Sequence, residues 1–283
     1  MKEDVFKIIF PLSRKQPWLA DKAIELQNLL YKDCTSEEHR LLVIELLDRF
    51  VHISSENFSS LINELAESIV SDPSLSDGTT QILSMTADYN ADSGQYILYA
   101  LKAPFERYGW RSHLLITNYG RSLKEYNRKK GIHKNIVLVD EFVGSGATVI
   151  GRVNSIKQQY LQAGIEDISI KVKVLVCSSV GFEKIKKENI DIESLVTLKR
   201  GISDCYDTED AQEKLKLMDE LELKLSPKYK DRDLPKHGYG GTESLYTRDD
   251  GNTPNSVFPF FWWPILSDNS DRKTLLIRAM EDA

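Results

Sequence analysis

Cysteine is scarce in this chain, and the three that occur (Cys34, Cys177 and Cys205) stand far apart with no C-x-x-C pairing. That spacing argues against both a disulfide framework and a structural zinc site. Long apolar runs are also missing. Those present are short and broken by charges, so none has the length to span a bilayer. The opening Met1-Lys2-Glu3-Asp4 has acids where a signal peptide is basic, and the expectation is a cytoplasmic protein. An excess of positive charge is lacking too: the net charge of −6 argues against broad, nonspecific binding to nucleic acid. There is no G-x-x-x-x-G-K-[ST] loop, which removes a P-loop ATPase, and there is neither an internal repeat nor a low-complexity tract. None of the five histidines (His39, His52, His113, His133 and His237) has a partner at metal or triad spacing in the sequence, so each is expected to be structural.

What remains has the composition of a soluble globular protein. Its 283 residues suffice for one large domain or two ordinary ones. The first quarter reads as helical. Leu19, Ala23, Leu26 and Leu30 recur at helical spacing, and Thr35-Ser36-Glu37-Glu38 forms a capping box at the start of a second helix. A third helix places Phe58, Leu61, Ile62, Leu65 and Ile69 on one face and stops near Asp72-Pro73. Near residue 75 the pattern changes. Strands are predicted at Gln81–Met85, His113–Thr117, Ile136–Val139, Ile168–Cys177 and Leu195–Leu198. Helices are predicted at Gly94–Lys102, Ala147–Gln162, Phe182–Glu188 and Glu209–Leu225. Such alternation builds an α/β fold with a mostly parallel sheet and ligands at the carboxyl ends of its strands. The expected domains are therefore a helical one over residues 1–75 and an α/β one over 76–283. Within the latter, 227–283 forms an aromatic-rich cap or hood.

The run Ile136-Val137-Leu138-Val139-Asp140-Glu141-Phe142-Val143-Gly144-Ser145-Gly146-Ala147-Thr148 carries the chemistry. Four apolar residues make a buried strand, two acids sit where it leaves the core, and a small glycine-containing turn opens a helix. Backbone N–H groups at a helix start, with two hydroxyls, suit a phosphate. The acids repel that phosphate. They suit neutral sugar hydroxyls about one sugar-width away, or a magnesium ion held over them. A dinucleotide turn fits less well, because the third glycine is misplaced and the acids precede the turn. The pattern reads as a phosphoribosyl site.

This segment resembles the PRPP-binding motif of type I phosphoribosyltransferases, with Gly144 in place of the first hydroxyl residue and Glu141 in place of a frequent second Asp. The resemblance implies that family's mostly parallel sheet, with a helical N-terminal domain and a C-terminal hood added to it. It assigns Asp140 and Glu141 to the ribose hydroxyls as the catalytic pair, and Gly144, Ser145, Gly146, Ala147 and Thr148 to the 5′-phosphate. It implies magnesium as the cofactor accompanying PRPP. The family's pyrophosphate loop falls on residues 87–94, with Asp92, Ser93 and Gly94 at a helix start. Its mobile loop falls on Asn118–Lys134, the most basic stretch of the chain, with Arg121 and Lys124 as candidates. In the hood, Tyr239, Tyr246, Phe260, Trp262 and Trp263 offer stacking surfaces, and Asn252 and Asn255 offer polar edges.

The expected function is transfer or cleavage of a ribose 5-phosphate group at C1′. Helical domain and tail together resemble the divergent phosphoribosyltransferase-like proteins of bacterial conflict systems, including some retrons, which implies an antiphage effector. The alternative is a non-catalytic PRPP- or nucleotide-sensing regulator acting through its N-terminal helices. Glu37, Glu38, Glu45, Asp48, Glu56, Glu64 and Glu67 make that region acidic, so a protein partner is favoured there over nucleic acid.

Overall fold

The computed structural model describes residues 3–86 and 93–280. They fall into two compact units, one built from residues 1–55 with 198–283 and the other from 56–197. Along the chain, the first unit begins with α1 (Glu3–Lys15), α2 (Ala23–Asn28), α3 (Glu37–Asp48) and the short β1 (Val51–Ile53). The second holds α4 (Ser55–Val70), β2 (Thr80–Ser84), α5 (Ser93–Arg107), β3 (Leu114–Ile116), α6 (Ser122–Arg128) and β4 (Asn135–Val143). It continues with α7 (Ala147–Gln162), β5 (Ser169–Ser178), α8 (Ser179–Lys187) and β6 (Asp191–Leu198). The chain then completes the first unit with α9 (Thr208–Glu222), β7 (Lys228–Tyr229), β8 (Arg232–Asp233) and β9 (Tyr246–Arg248).

In the first unit the N-terminal helices and the C-terminal tail share one core. The expected helical stripe buries Leu19, Leu26 and Leu30, but a 3-10 turn at Pro17–Lys22 and a π turn at Leu29–Asp33 flank α2. The cap of α3 is Ser36 instead of Thr35: its extended backbone lets the Ser36 hydroxyl accept from the His39 N–H at 3.1 Å. The Thr35 hydroxyl instead accepts from Lys224 Nζ at 2.9 Å. Short helices cannot close a core alone, and the tail closes this one. Phe50 meets Phe261 edge-to-face at 5.1 Å. Arg272, buried, reaches Asp33 Oδ2 at 2.8 Å and donates to the carbonyls of Phe260 and Trp263. Parallel pairing of β1 with β9 completes the join.

Two expectations change here. Tyr246, Phe260, Trp262 and Trp263 are core residues and offer no stacking surface; Tyr239 alone of that set is exposed. Asn252 Oδ1 accepts from the Ala279 N–H, and the Asn255 carbonyl accepts from Tyr239 N–H, so both stitch the tail to itself. The expected domain boundary near residue 75 also differs from the observed division. α4, with Phe58, Ile62, Leu65 and Ile69 buried, falls in the unit of the sheet.

The second unit is built on a five-stranded sheet of order β3-β2-β4-β5-β6, with parallel pairing of β2 to β3, β2 to β4 and β4 to β5. The strand–helix alternation dictates this, since parallel neighbours need a crossover. α7 lies over Ile136, Leu138, Val172 and Val174 with Val149, Val153, Ile156 and Tyr160. Just after α4, Asp72 accepts from Lys171 of β5 at 2.7 Å, with Lys173 3.6 Å away. Burial alone would raise the Asp72 pKa, but hydrogen bonds from Lys171 and Ser74 hold it well below the carboxylate range.

Candidate active site

The strand order reverses direction between β2 and β4: β3 lies outward of β2, while β5 and β6 follow on the other side of β4. Open sheets of this kind form their ligand crevice at such a switch point, beyond the carboxyl ends of the strands. Here the register makes the crevice. Among the described residues the last β2–β4 pair is Ser84 with Val139, whereas β4 continues to Val143 against Cys177 of β5. Asp140 and Glu141 therefore sit on strand backbone whose β2 side has ended. The expected strand ended at Val139; β5 extends it by four residues.

Consecutive strand positions alternate in direction, and the acids differ accordingly. Asp140 is half-buried and Glu141 buried. Asp140 Oδ1 accepts from the Ser93 hydroxyl at 2.8 Å and from the Glu141 N–H at 2.7 Å. The first of these bonds brings the expected pyrophosphate segment to the acid pair, since Ser93 and the buried Gly94 open α5. Asp92, with the rest of 87–92, lies outside the described residues.

The turn Gly144-Ser145-Gly146 leads directly into α7, whose predicted bounds Ala147–Gln162 are those observed. Gly146 caps the helix at φ +75°, a left-handed conformation natural to glycine, and itself offers no side chain to the helix amides. Ala147 and Thr148 are exposed. The result is a helix N-terminus, flanked by the Ser145 and Thr148 hydroxyls, with the geometry of an anion cradle.

A brace from the neighbouring strand holds this turn. At the end of β5 the Ser178 hydroxyl donates to the Gly144 carbonyl at 2.7 Å and accepts from the Gly181 N–H at 2.9 Å. Gly181 packs so closely that a Cβ there would stand 2.0 Å from the Gly144 oxygen. Sequence reasoning missed both residues. The only signal was a Ser-Ser-Val-Gly step between an apolar strand and the next helix. Arg152 was missed as well: its Nε donates to the Met85 carbonyl at 3.1 Å, and its guanidinium lies 4.6 Å over the Tyr119 ring. It ties α7 to the end of β2 and to the segment that follows β3.

The basic stretch expected as a mobile loop is folded into a 3-10 turn and α6. Ser122 is buried there, donating to Gln81 at 3.0 Å and sharing a hydrogen bond with Tyr160 at 3.0 Å. Several charges are spent locally. Arg121 and Arg128 lie 3.7 and 2.7 Å from Glu125, and Lys134 bonds Asp167 at 2.6 Å. Lys124 is exposed on the helix. Nor is there a thiolate nucleophile beside the turn, because burial pushes the Cys177 thiol up to about 12.

A family model matches residues 31–278, most of the chain. The chain belongs to the PRTase-CE family. Membership of this phosphoribosyltransferase-like family agrees with the α/β sheet and with the motif at its switch point. No curated protein sequence matches. Among solved structures, the chain is similar to the xanthine-guanine-hypoxanthine phosphoribosyltransferase of Helicobacter pylori at 14% identity, over 52% of this chain and 84% of that one, with a TM-score of 0.30. It is similar to the orotate phosphoribosyltransferase of Aeropyrum pernix at 14% identity, over 61% and 93%, with a TM-score of 0.33. A third is the hypoxanthine-guanine phosphoribosyltransferase of Schistosoma mansoni in complex with IMP, at 16% identity, over 54% and 67%, with a TM-score of 0.34.

Proposed function

We propose that the crevice beyond Ser84 binds a 5′-phosphoribosyl group, as PRPP or a nucleotide, and supports transfer or cleavage of ribose 5-phosphate at C1′. One observation carries this reading: an acid pair and a glycine-capped, externally braced helix start lie in sequence at the switch point of the sheet. The N–H groups of 145–148 and the Ser145 and Thr148 hydroxyls take the 5′-phosphate. Asp140 takes a ribose hydroxyl, and Glu141 supports it from the other face of the strand. The hard carboxylate oxygens of Asp140 also suit magnesium, which that residue would hold near the ribose and which, when bound, would supply charge neutralisation for a leaving pyrophosphate. The reaction then asks for positioning and for stabilisation of an electron-poor anomeric carbon, and no protein nucleophile is required.

Replacing both Ser145 and Thr148 with valine tests the turn. Affinity for ribose 5-phosphate should fall at least tenfold, and affinity for ribose should not change. An equal effect on both sugars removes the phosphate assignment.

An antiphage effector role, in the cytoplasm where phosphorylated sugars and magnesium occur together, belongs to the same proposal. Its test is whether phage protection, or nucleotide depletion on expression, disappears in the Asp140→Ala, Glu141→Ala variant. The stacked and exposed Phe6 and Phe10 on α1, 5.1 Å apart, support a protein partner at the N-terminal helices.

A further inference from the structure

Away from the crevice, in the first unit, three side chains converge whose partners the sequence did not reveal. Asp219 and Glu222 stand one turn apart on α9, hence on one face. His237 comes to them from the turn after β8, in a left-handed conformation (φ +54°) that few side chains adopt. That conformation turns both its main chain and its ring toward α9. The His237 N–H donates to the Glu222 carboxylate at 3.1 and 3.2 Å, while Nε2 stands 3.0 Å from Asp219 Oδ1. One potential ligand atom from each residue lies within 4.8 Å of the others, the one such convergence of three among the described residues.

Two features set this group apart from an ordinary ion pair. Nε2 is buried and, despite its distance from Asp219, is out of line for a hydrogen bond. The ring nitrogen is thus left without a hydrogen-bond partner beside two carboxylates. Glu222 is fully buried, and among the described residues only the His237 N–H bonds its carboxylate.

We propose that Asp219, Glu222 and His237 bind a first-row divalent ion, zinc by preference, as a clasp between α9 and the turn that carries His237. An imidazole nitrogen with two carboxylates is a donor set for zinc and its neighbours more than for magnesium or calcium. Ligand atoms at about 2.0–2.2 Å from one ion lie roughly 3.3–3.6 Å apart. Closure therefore requires ligand atoms now within 4.8 Å of one another to draw together by about 1 Å. Solvent completes the coordination on the side of the half-exposed Asp219.

The test is calorimetric titration of the chelator-treated full chain with zinc chloride, with metal content measured after desalting. It is run on the wild type, on the Asp140→Ala, Glu141→Ala variant, and on His237→Asn, Glu222→Gln and Asp219→Asn, each checked for folding by circular dichroism. Asp219 lies on the helix surface, so its variant should fold even if the other two do not. One zinc per chain is expected in the wild type and in the Asp140/Glu141 variant, with affinity at least tenfold weaker in each clasp variant that folds. Absence of zinc uptake by the wild type overturns the proposal, as does uptake undiminished in Asp219→Asn or His237→Asn. Loss of zinc only in the Asp140/Glu141 variant overturns it as well, since that would put the ion in the crevice.

Discussion

Replacing Gly181 with alanine is expected to disable the turn proposed to hold phosphate while leaving the sheet formed. The added Cβ would stand 2.0 Å from the Gly144 carbonyl oxygen, whereas carbon and oxygen in weak contact rest at about 3.3–3.6 Å. The turn and the start of α8 must then separate by roughly 1.3 Å, the difference between those distances. Both are backbone, so no flexible side chain can absorb the shift. Overpacking of this kind costs about 1–3 kcal/mol. Parting Gly144 from Ser178 Oγ, now 2.7 Å away, adds about 1 kcal/mol. Thermal unfolding should fall by roughly 5–10 °C. Displacing a positioned group by about 1 Å also costs on the order of 100-fold in activity, so affinity for ribose 5-phosphate should drop well beyond the loss of stability. The control is Gly151→Ala in the middle of α7, where a Cβ meets nothing within 4 Å. It should be neutral or stabilising by about 0.5–1 kcal/mol. Calorimetry and thermal melts of both variants decide the matter. Wild-type binding and melting in Gly181→Ala would refute the brace.

Other outcomes follow from the same geometry. Asp72→Asn removes the nearer acceptor of the half-buried Lys171, leaving Asp191 at 3.5 Å, and should cost about 1.5–3 kcal/mol at neutral pH in chemical denaturation. The folded pKa of Asp72 is depressed. Its stabilisation is thus complete above the unfolded value near about 4 and is lost as pH falls below it. The variant should accordingly show a flatter acid limb, and an unchanged limb would contradict the assignment. Arg152→Met frees the Met85 carbonyl and Tyr119 and should weaken PRPP binding severalfold with little change in melting temperature; binding equal to wild type would show that this edge of the crevice does not matter. Ser93→Ala removes a hydroxyl from Asp140, and a modest change in the dependence of PRPP binding on magnesium concentration is expected. No change would separate the start of α5 from the site.

The parts of the site that are contiguous in the chain were legible in its sequence. Ile136 to Thr148 announced strand, acids and helix start in order, because a buried strand needs an apolar run and a phosphate turn needs small residues. The parts that depend on pairing were not. Strand β4 outlasts its predicted end because β5 continues to pair with it, and the Ser178–Gly181 brace arises only when β5 lies beside β4. Four of the histidines meet carboxylates remote in sequence: His39 with Glu220, His52 with Asp249, His113 with Asp77 and His237 with Asp219. Spacing along the chain cannot show such pairs. The aromatic tail suggests a hood in the sequence, because composition marks apolar bulk without saying which core it fills. Trp262 and Trp263 fill one shared with the N-terminal helices. The stretch at 118–134 is conspicuous for its cations, but Glu125 and Asp167 neutralise three of them once the chain folds.

The most direct test of the phosphoribosyl reading is calorimetric titration of the full chain with PRPP and magnesium, beside the Asp140→Ala, Glu141→Ala variant. Saturable binding by the wild type, lost in a variant that melts as a folded protein, is the predicted result. Equal binding by both proteins, or none by the wild type to PRPP or to any 5′-nucleotide, would contradict it.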